Sequence, residues 1–205
     1  MIKNVVFDFG QVLVHFEPEY MVKKYVRDEA DAKLLETVLF DRLYWDALDA
    51  GTIRDEEVIA AGRTRIPERL WEIAETIYYN WIYNIPEIEG MRELVVYIRE
   101  RYGVRLFLLS NISEYFANHR SEIPVLSEFE HCVFSAVVGK VKPNRDIFEH
   151  LCAVCDILPA ETVFVDDNTK NIAAANAFGI TGYLFDGNVE KLKTYLDEIL
   201  AYDAV

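Results

Sequence analysis

Five short apolar runs, at residues 2–7, 104–109, 132–136, 162–165 and 181–185, limit what this chain can fold into. They are rich in Val, Phe and Leu, and most are continuous rather than alternating. A strand that is apolar on both faces has to be covered on both faces. The stretches between the runs carry helical spacing, so helices supply the cover. Strand and helix in alternation predict an α/β fold, a Rossmann-like parallel sheet core flanked by helices. Residues 86–102 carry a helix on Met91, Leu94, Val95 and Ile98, stopped at Gly103. A second helix is expected over 144–158, ended by Pro159, and a short alanine-rich third over 171–178, ended by Gly179. Val189, Leu192, Tyr195, Leu196, Ile199 and Leu200 make a closing amphipathic helix.

The alternation breaks once. Residues 17–85 lie between the first and second runs and contain no strand pattern. Met21, Tyr25 and Val26, then Leu34, Leu35, Val38 and Leu39, then Leu70, Ile73, Ile77 and Trp81 repeat at helical spacing. A crossover helix needs far fewer residues, so an inserted all-helical cap is expected over one edge of the sheet. The expected division is a Rossmann-like core from 1–16 and 87–205, with the helical cap at 17–86.

Composition narrows the partners. The chain is 52% hydrophobic and 13% aromatic, enough for a sizeable core and too much for a disordered chain. Its formal net charge of −14 repels phosphate backbones and anionic lipid, so neither nucleic acid nor membrane is an expected partner. Global charge limits partners and not pockets, since a local ammonium or a bound cation still captures a small anion. No run approaches the roughly 18 apolar residues of a membrane helix, and the N-terminal run stops at Asp8, too short for a signal-peptide core. Cys132, Cys152 and Cys155 have no framework spacing. Cys152 and Cys155 continue the helical pattern of Ile147, Phe148 and Leu151, and are read as small core side chains. Asn111-Ile112-Ser113 is a glycosylation sequon by pattern only. A reduced, cytoplasmic protein is expected.

Ligands of open α/β sheets gather at the carboxyl ends of the strands, so polar residues there carry the most information. The first run exits to Asp8-Phe9-Gly10-Gln11-Val12 and the second to Ser110-Asn111. The third is followed by Gly139-Lys140-Val141-Lys142-Pro143, and the fourth exits to Asp166-Asp167-Asn168. Three carboxylates, a hydroxyl and a lysine thus converge on one rim. Ser110 or Asp167 taken alone is equally well explained as a helix cap, and Lys140 as a solvated side chain. Capping does not explain all of them together in chain order.

These stretches resemble the four motifs of the haloacid dehalogenase superfamily: Phe7-Asp8-Phe9-Gly10-Gln11-Val12-Leu13, Leu108-Leu109-Ser110-Asn111, Lys142-Pro143, and Val165-Asp166-Asp167 followed by Asn171 and Gly179. The resemblance covers nearly the whole chain. The insertion is similar to the small-cap subgroup, whose middle Trp45-Asp46-Ala47-Leu48 leading to Gly51 resembles. The superfamily hosts several chemistries, so roles need a physical argument. A phosphate monoester and a carboxylate nucleophile are both anionic, and their approach needs countercharge. A Mg²⁺ at Asp8, Gly10 and Asp166 would supply it, because hard oxygen ligands suit that ion. Asp8 would attack phosphorus to form an aspartyl-phosphate that water hydrolyses. Ser110 and Asn111 would bind the phosphoryl oxygens and Lys142 would neutralise charge developing there. Asp167 would orient the metal's water or pair with Lys142.

One position departs from the pattern. In the family's phosphatases the residue two after the nucleophile is usually a second Asp, which protonates the leaving oxygen and later activates water; here it is Gly10. Loss of a general acid costs roughly 10²–10⁴-fold. The same Asp-x-Gly opening occurs in a branch resembling the α-glucose-1-phosphate phosphatase. A sugar 1-phosphate, with its better leaving group, depends less on an acid and is the expected substrate class. His15 is weighed as a substitute acid, since its pKa sits near neutrality, against a hinge histidine with no role in catalysis. Arg42 and Trp45 are the candidate substrate contacts in the cap. Tyr44, Tyr78, Tyr79 and Trp81 read either as sugar-stacking aromatics or as core. The expected function is Mg²⁺-dependent hydrolysis of a small-molecule phosphate ester. The alternatives are a metal-free 2-haloacid dehalogenase in which Asp8 attacks carbon, and a non-catalytic binding protein on the same scaffold.

Overall fold

A computed structural model describes residues 1–201; positions 202–205 of the expected core lie outside the described residues. Strands β1 (Asn4–Phe7), β2 (Arg105–Ser110), β3 (His131–Phe134), β4 (Thr162–Asp166) and β5 (Thr181–Leu184) form one parallel sheet in the order β3-β2-β1-β4-β5. The chain runs outward from β1 to β3, then returns to lay β4 and β5 on the other side. The order therefore reverses beside β1, where such sheets open a crevice. Register makes that crevice chemically dense: Phe7 lies level with Leu108 on one side and Val165 on the other. Asp8, Ser110 and Asp166 follow within two residues of that line. β1 and β4 are buried throughout, as their continuous apolar runs require, whereas the edge strand β5 is half-exposed.

Eleven helices surround the sheet among the described residues: α1 (Pro18–Lys23), α2 (Glu29–Leu39), α3 (Arg42–Asp49), α4 (Asp55–Arg63), α5 (Trp71–Asn80), α6 (Met91–Tyr102), α7 (Glu114–Asn118), α8 (Ser135–Val138), α9 (Arg145–Cys155), α10 (Thr169–Phe178) and α11 (Val189–Ala201). None is long and apolar enough to cross a membrane. Several boundaries differ from the sequence reading: β1 and β2 begin at Asn4 and Arg105, α6 begins at Met91 rather than 86, and three others have a plain local cause. The third strand stops at Phe134, because Ser135 and Ala136 turn into α8 and the Ser135 hydroxyl is occupied by the backbone N–H of Ile112. α9 ends at Cys155 rather than 158. Asp156 there adopts a left-handed conformation (φ 52°), and the N–H groups of Asp156 and Ile157 both reach back to the Cys152 carbonyl while Ile157 is buried. α10 starts two residues early, at Thr169, because the Asn168 side chain caps the Lys170 N–H. Cys155 is buried and Cys152 half-buried on the core face of α9, both as free thiols.

Residues 17–85 are helical, α1 to α5 joined by turns and short 3₁₀ segments. They bury a cluster of their own that includes Val22, Leu35, Val38, Leu48, Val58, Ile77 and Tyr78. Asp28 and Asp41 cap α2 and α3 by accepting from the Asp31 and Leu43 N–H groups. An aromatic seam joins this cluster to the sheet. Phe16 packs edge-on against Trp45 and Trp81, at centroid distances of 5.3 and 5.6 Å, and Trp81 stacks on Phe116 at 5.6 Å. The seam holds the helical segment over the carboxyl ends of the strands.

Candidate active site

Asp8 leaves β1 at the crevice with its side chain 14% exposed. Its Oδ1 accepts from the Phe9 N–H at 2.7 Å and lies 2.8 Å from the Lys142 ammonium. The same ammonium donates to Asp166 Oδ2 at 2.8 Å, and Lys142 is only 1% exposed. Asn111 holds Lys142 in place through its backbone: the Asn111 Oδ1 accepts from the Lys142 N–H, and its Nδ2 donates to the Lys142 carbonyl. Asp166, fully buried at the end of β4, also accepts from the Asn168 N–H and the Asn171 side-chain amide.

The electrostatics are those of two buried anions sharing one cation. Burial pushes the Asp8 carboxyl up to about 6; attraction to Lys142 opposes the rise and repulsion from Asp166 adds to it. Burial acts to lower Lys142, but its two carboxylate partners outweigh it and hold the ammonium above its ordinary value. Asp167 is raised by burial and by the charge of Asp166. Oxygen atoms of Asp8, Asp166 and Asp167 lie within 4.8 Å of one another, the only such acidic cluster among the described residues. Carboxylate oxygens at that spacing, with less positive charge than negative around them, fit a hard divalent cation. Asp8, Gly10, Ser110, Asn111, Lys142 and Asp167 face one cavity of about 560 Å³.

A protein-family model described as haloacid dehalogenase-like hydrolase matches residues 2–179. This chain belongs to that family. It is similar to the D-ribitol-5-phosphate phosphatase of Bacteroides thetaiotaomicron, at 27% identity over 87% of this chain and 89% of that protein. It is also similar to the sesquiterpene phosphatase astK of Aspergillus oryzae, at 28% identity over 88% of each. Among solved structures, a HAD family enzyme of Bacteroides thetaiotaomicron in complex with magnesium and inorganic phosphate shares its fold, with a TM-score of 0.69, 20% identity, and coverage of 94% of this chain and 99% of that one.

The opposite wall of the hydrolase's cavity comes from the helical segment and the seam: Phe16, Arg42, Trp45, Asp46, Asp49 and Trp81. Of the two substrate contacts expected there, Arg42 is 81% exposed and paired with Asp46 at 2.7 Å. Trp45 is a buried seam residue whose indole N–H donates to the Leu39 carbonyl at 2.7 Å, so only part of its ring reaches the cavity. Tyr44, Tyr78 and Tyr79 are outside the lining, packed in the helical cluster. His15 is not brought into the site. It is 46% exposed, 4.0 Å from Glu17 and outside the cavity lining, because the chain turns outward between the buried Val14 and the seam residue Phe16.

Asp49, the last residue of α3, is not among the residues that the sequence pattern singles out. It faces the cavity, and its Oδ1 is sealed from solvent with no hydrogen-bond partner among the described residues. Burial pushes its carboxyl up to about 7. Helical spacing held the signal, since Arg42, Trp45, Asp46 and Asp49 share one face of α3.

Proposed function

We propose that this hydrolase is a Mg²⁺-dependent phosphatase acting on a small phosphorylated metabolite, with residues 17–86 as a cap over the crevice. The observation that carries the reading is the Lys142 ammonium 2.8 Å from both Asp8 and Asp166, with Asp167 completing an acidic cluster beside it. Two similar proteins with phosphatase names support the same chemistry on unlike alcohols, a pentitol and a sesquiterpenol.

Asp8, Asp166 and the Gly10 position would hold the metal, which supplies countercharge to the phosphoryl oxygens when bound. Asp8 is the nucleophile: one carboxylate oxygen bonds to phosphorus as the ester P–O bond breaks, and water then cleaves the aspartyl-phosphate. Lys142 holds Asp8 in place and neutralises charge on the transferring group. Ser110 and Asn111 bind the phosphoryl oxygens, and Asp167 orients solvent at the acidic cluster. Arg42 and Trp45 contact the alcohol portion. The substrate class proposed is a sugar phosphate; the missing acid at Gly10 favours a sugar 1-phosphate for its leaving group, and an acid supplied from elsewhere in the cavity would admit sugar 6-phosphates as well.

A phosphate-ester panel with and without Mg²⁺, covering sugar 1-phosphates and sugar 6-phosphates, tests this reading. Turnover should need Mg²⁺, stop with a chelator and vanish in Asp8→Asn. Turnover that survives Asp8→Asn ends the proposal, as does chelator-resistant release of halide from a 2-haloacid.

A further inference from the structure

Phosphoryl transfer to Asp8 leaves a demand that none of the residues given roles above meets. The departing alkoxide needs a proton, and the water that later attacks needs to lose one. Gly10 contributes no side chain, although a Cβ there would meet nothing nearer than the Phe16 Cβ at 4.0 Å. The gap in function is therefore not a steric necessity of the turn. His15 lies outside the cavity.

We propose that the Asp49 carboxyl, carried on α3 into the wall opposite Asp8, is the general acid and base of this enzyme. The inference rests on the phosphatase reading above. Three observations support it. Asp49 lines the same cavity as Asp8, and its Oδ1 is a buried acceptor with no partner among the described residues, which is costly unless a ligand completes it. Its backbone is anchored to the sheet and not only to the helical segment: the Asp49 carbonyl accepts from the Ser135 hydroxyl, which in turn accepts from the Ile112 N–H at 2.9 Å. Ser135 is fully buried, and Ile112 follows Ser110-Asn111 directly. The turn after α3 also lies flat on α8. Gly51 has φ +68°, and a Cβ there would come within 2.5 Å of the Ala136 carbonyl oxygen. Asp49 is thus held by the exits of β2 and β3, and its distance from the crevice does not depend on a free-swinging cap.

The charges around the carboxyl suit the role. Burial raises it to about 7; Arg42 and Lys142 lower it, while Asp46 and Asp8 raise it. Arg42 and Asp46 act from α3 itself and Asp8 and Lys142 from the core, whereas α8, packed against α3, brings no titratable side chain. A carboxyl that titrates near neutrality both gives and takes a proton. In the first half-reaction an Asp8 oxygen bonds to phosphorus and the P–O bond to the alcohol breaks. The bonding pair goes to the alcohol oxygen, which takes the proton of Asp49 and leaves a carboxylate. In the second, a water oxygen bonds to phosphorus and gives its proton to the Asp49 carboxylate. The bond between phosphorus and Asp8 breaks with its pair returning to Asp8, leaving inorganic phosphate and the starting acid.

The test compares wild type with Asp49→Asn, in Mg²⁺, on two probes: the sugar 6-phosphate that wild type turns over fastest, and 2,4-dinitrophenyl phosphate, whose leaving group needs no proton. Asp49→Asn should lose roughly 10²–10⁴-fold in kcat on the sugar ester. With dinitrophenyl phosphate it should still release one equivalent of dinitrophenolate per site in a burst near the wild-type rate. It should then slow, because only hydrolysis of the aspartyl-phosphate still needs the base. Wild-type turnover of the sugar ester by the variant overturns the role, and so does loss of the burst in a variant whose thermal melt is not lowered. If Asp49→Asn fails to fold, the wild type decides: kcat/KM that depends only weakly on leaving-group pKa, from nitrophenyl to alkyl phosphates, supports the acid, and a steep dependence overturns it. A wild type confined to sugar 1-phosphates overturns the role while leaving the phosphatase reading intact. A wild type that hydrolyses no ester ends that reading instead.

Discussion

The two walls of the cavity are built on opposite principles. On the sheet side, Asp8, Lys142 and Asp166 hold one another at 2.8 Å and are steadied by Phe9, Asn168, Asn171 and, through the backbone of Lys142, Asn111. On the helical side, among the described residues, Asp49 Oδ1 has no partner, and Arg42 stands in solvent paired with Asp46 alone. A saturated network is preorganised and can serve any ester of one reacting group. An unsaturated wall is completed by whatever alcohol the substrate brings. The contrast matches two similar proteins whose names give unlike substrates, D-ribitol 5-phosphate and a sesquiterpene.

Removing the shared ammonium should break the saturated wall most severely. Lys142→Met leaves two buried carboxylates facing each other, and unfolding by urea with a chelator present should register a loss of about 3–5 kcal/mol. A loss below 1 kcal/mol would mean the pair is solvated rather than buried. Gly51→Ala attacks the contact that joins the walls, and the clash with Ala136 plus the left-handed backbone should cost about 2–3 kcal/mol. Turnover of alkyl esters should fall with it, while an unchanged melt and unchanged turnover would remove that contact as the anchor.

The unsaturated wall carries a pH signature. The Asp49 carboxyl sits at about 7 in the fold against an ordinary 3.8. Below pH 4 both folded and unfolded chains hold the proton, so the group contributes nothing. Between 4 and 7 only the unfolded chain ionises, and stability falls as pH rises; above 7 the whole cost is present. Asp49→Asn removes it, so without metal the variant should gain on wild type between pH 5 and pH 8, on the order of 2–3 kcal/mol. A gap that stays constant with pH contradicts the buried carboxyl. Activity should fall in the same direction, with wild-type turnover of alkyl esters declining as pH rises through about 7 and the decline absent in Asp49→Asn. The smallest change is expected at Gly10. Gly10→Asp has room and should alter stability by no more than about 0.5 kcal/mol, checked by the melt; a larger loss would mean the turn itself requires glycine there.

The sheet and its rim were legible because each depends on short stretches of chain. Strands buried on both faces must be continuously apolar, and Asp8, Ser110 and Asp166 stand at or just beyond the end of such a run. Boundaries were read less well where a side chain or an unusual backbone overrode the pattern. The hydroxyl of Ser135 and the left-handed Asp156 each ended an element that hydrophobicity alone would have extended. The helical wall was legible only in part. Spacing puts Arg42, Trp45 and Asp49 on one face of α3 but is silent on what that face meets.

The apolar runs, the helical insertion and the acids and lysine at the strand exits belong to the sequence alone, since local periodicity and position along the chain suffice to find them. Tertiary structure decided which outlying side chains join them. It turned His15 into solvent, sank Trp45 into the seam and brought Asp49 over the crevice. Those outcomes depend on how α3 lies on α8 and how Phe16, Trp45 and Trp81 pack, contacts between residues far apart in the chain that no local pattern encodes.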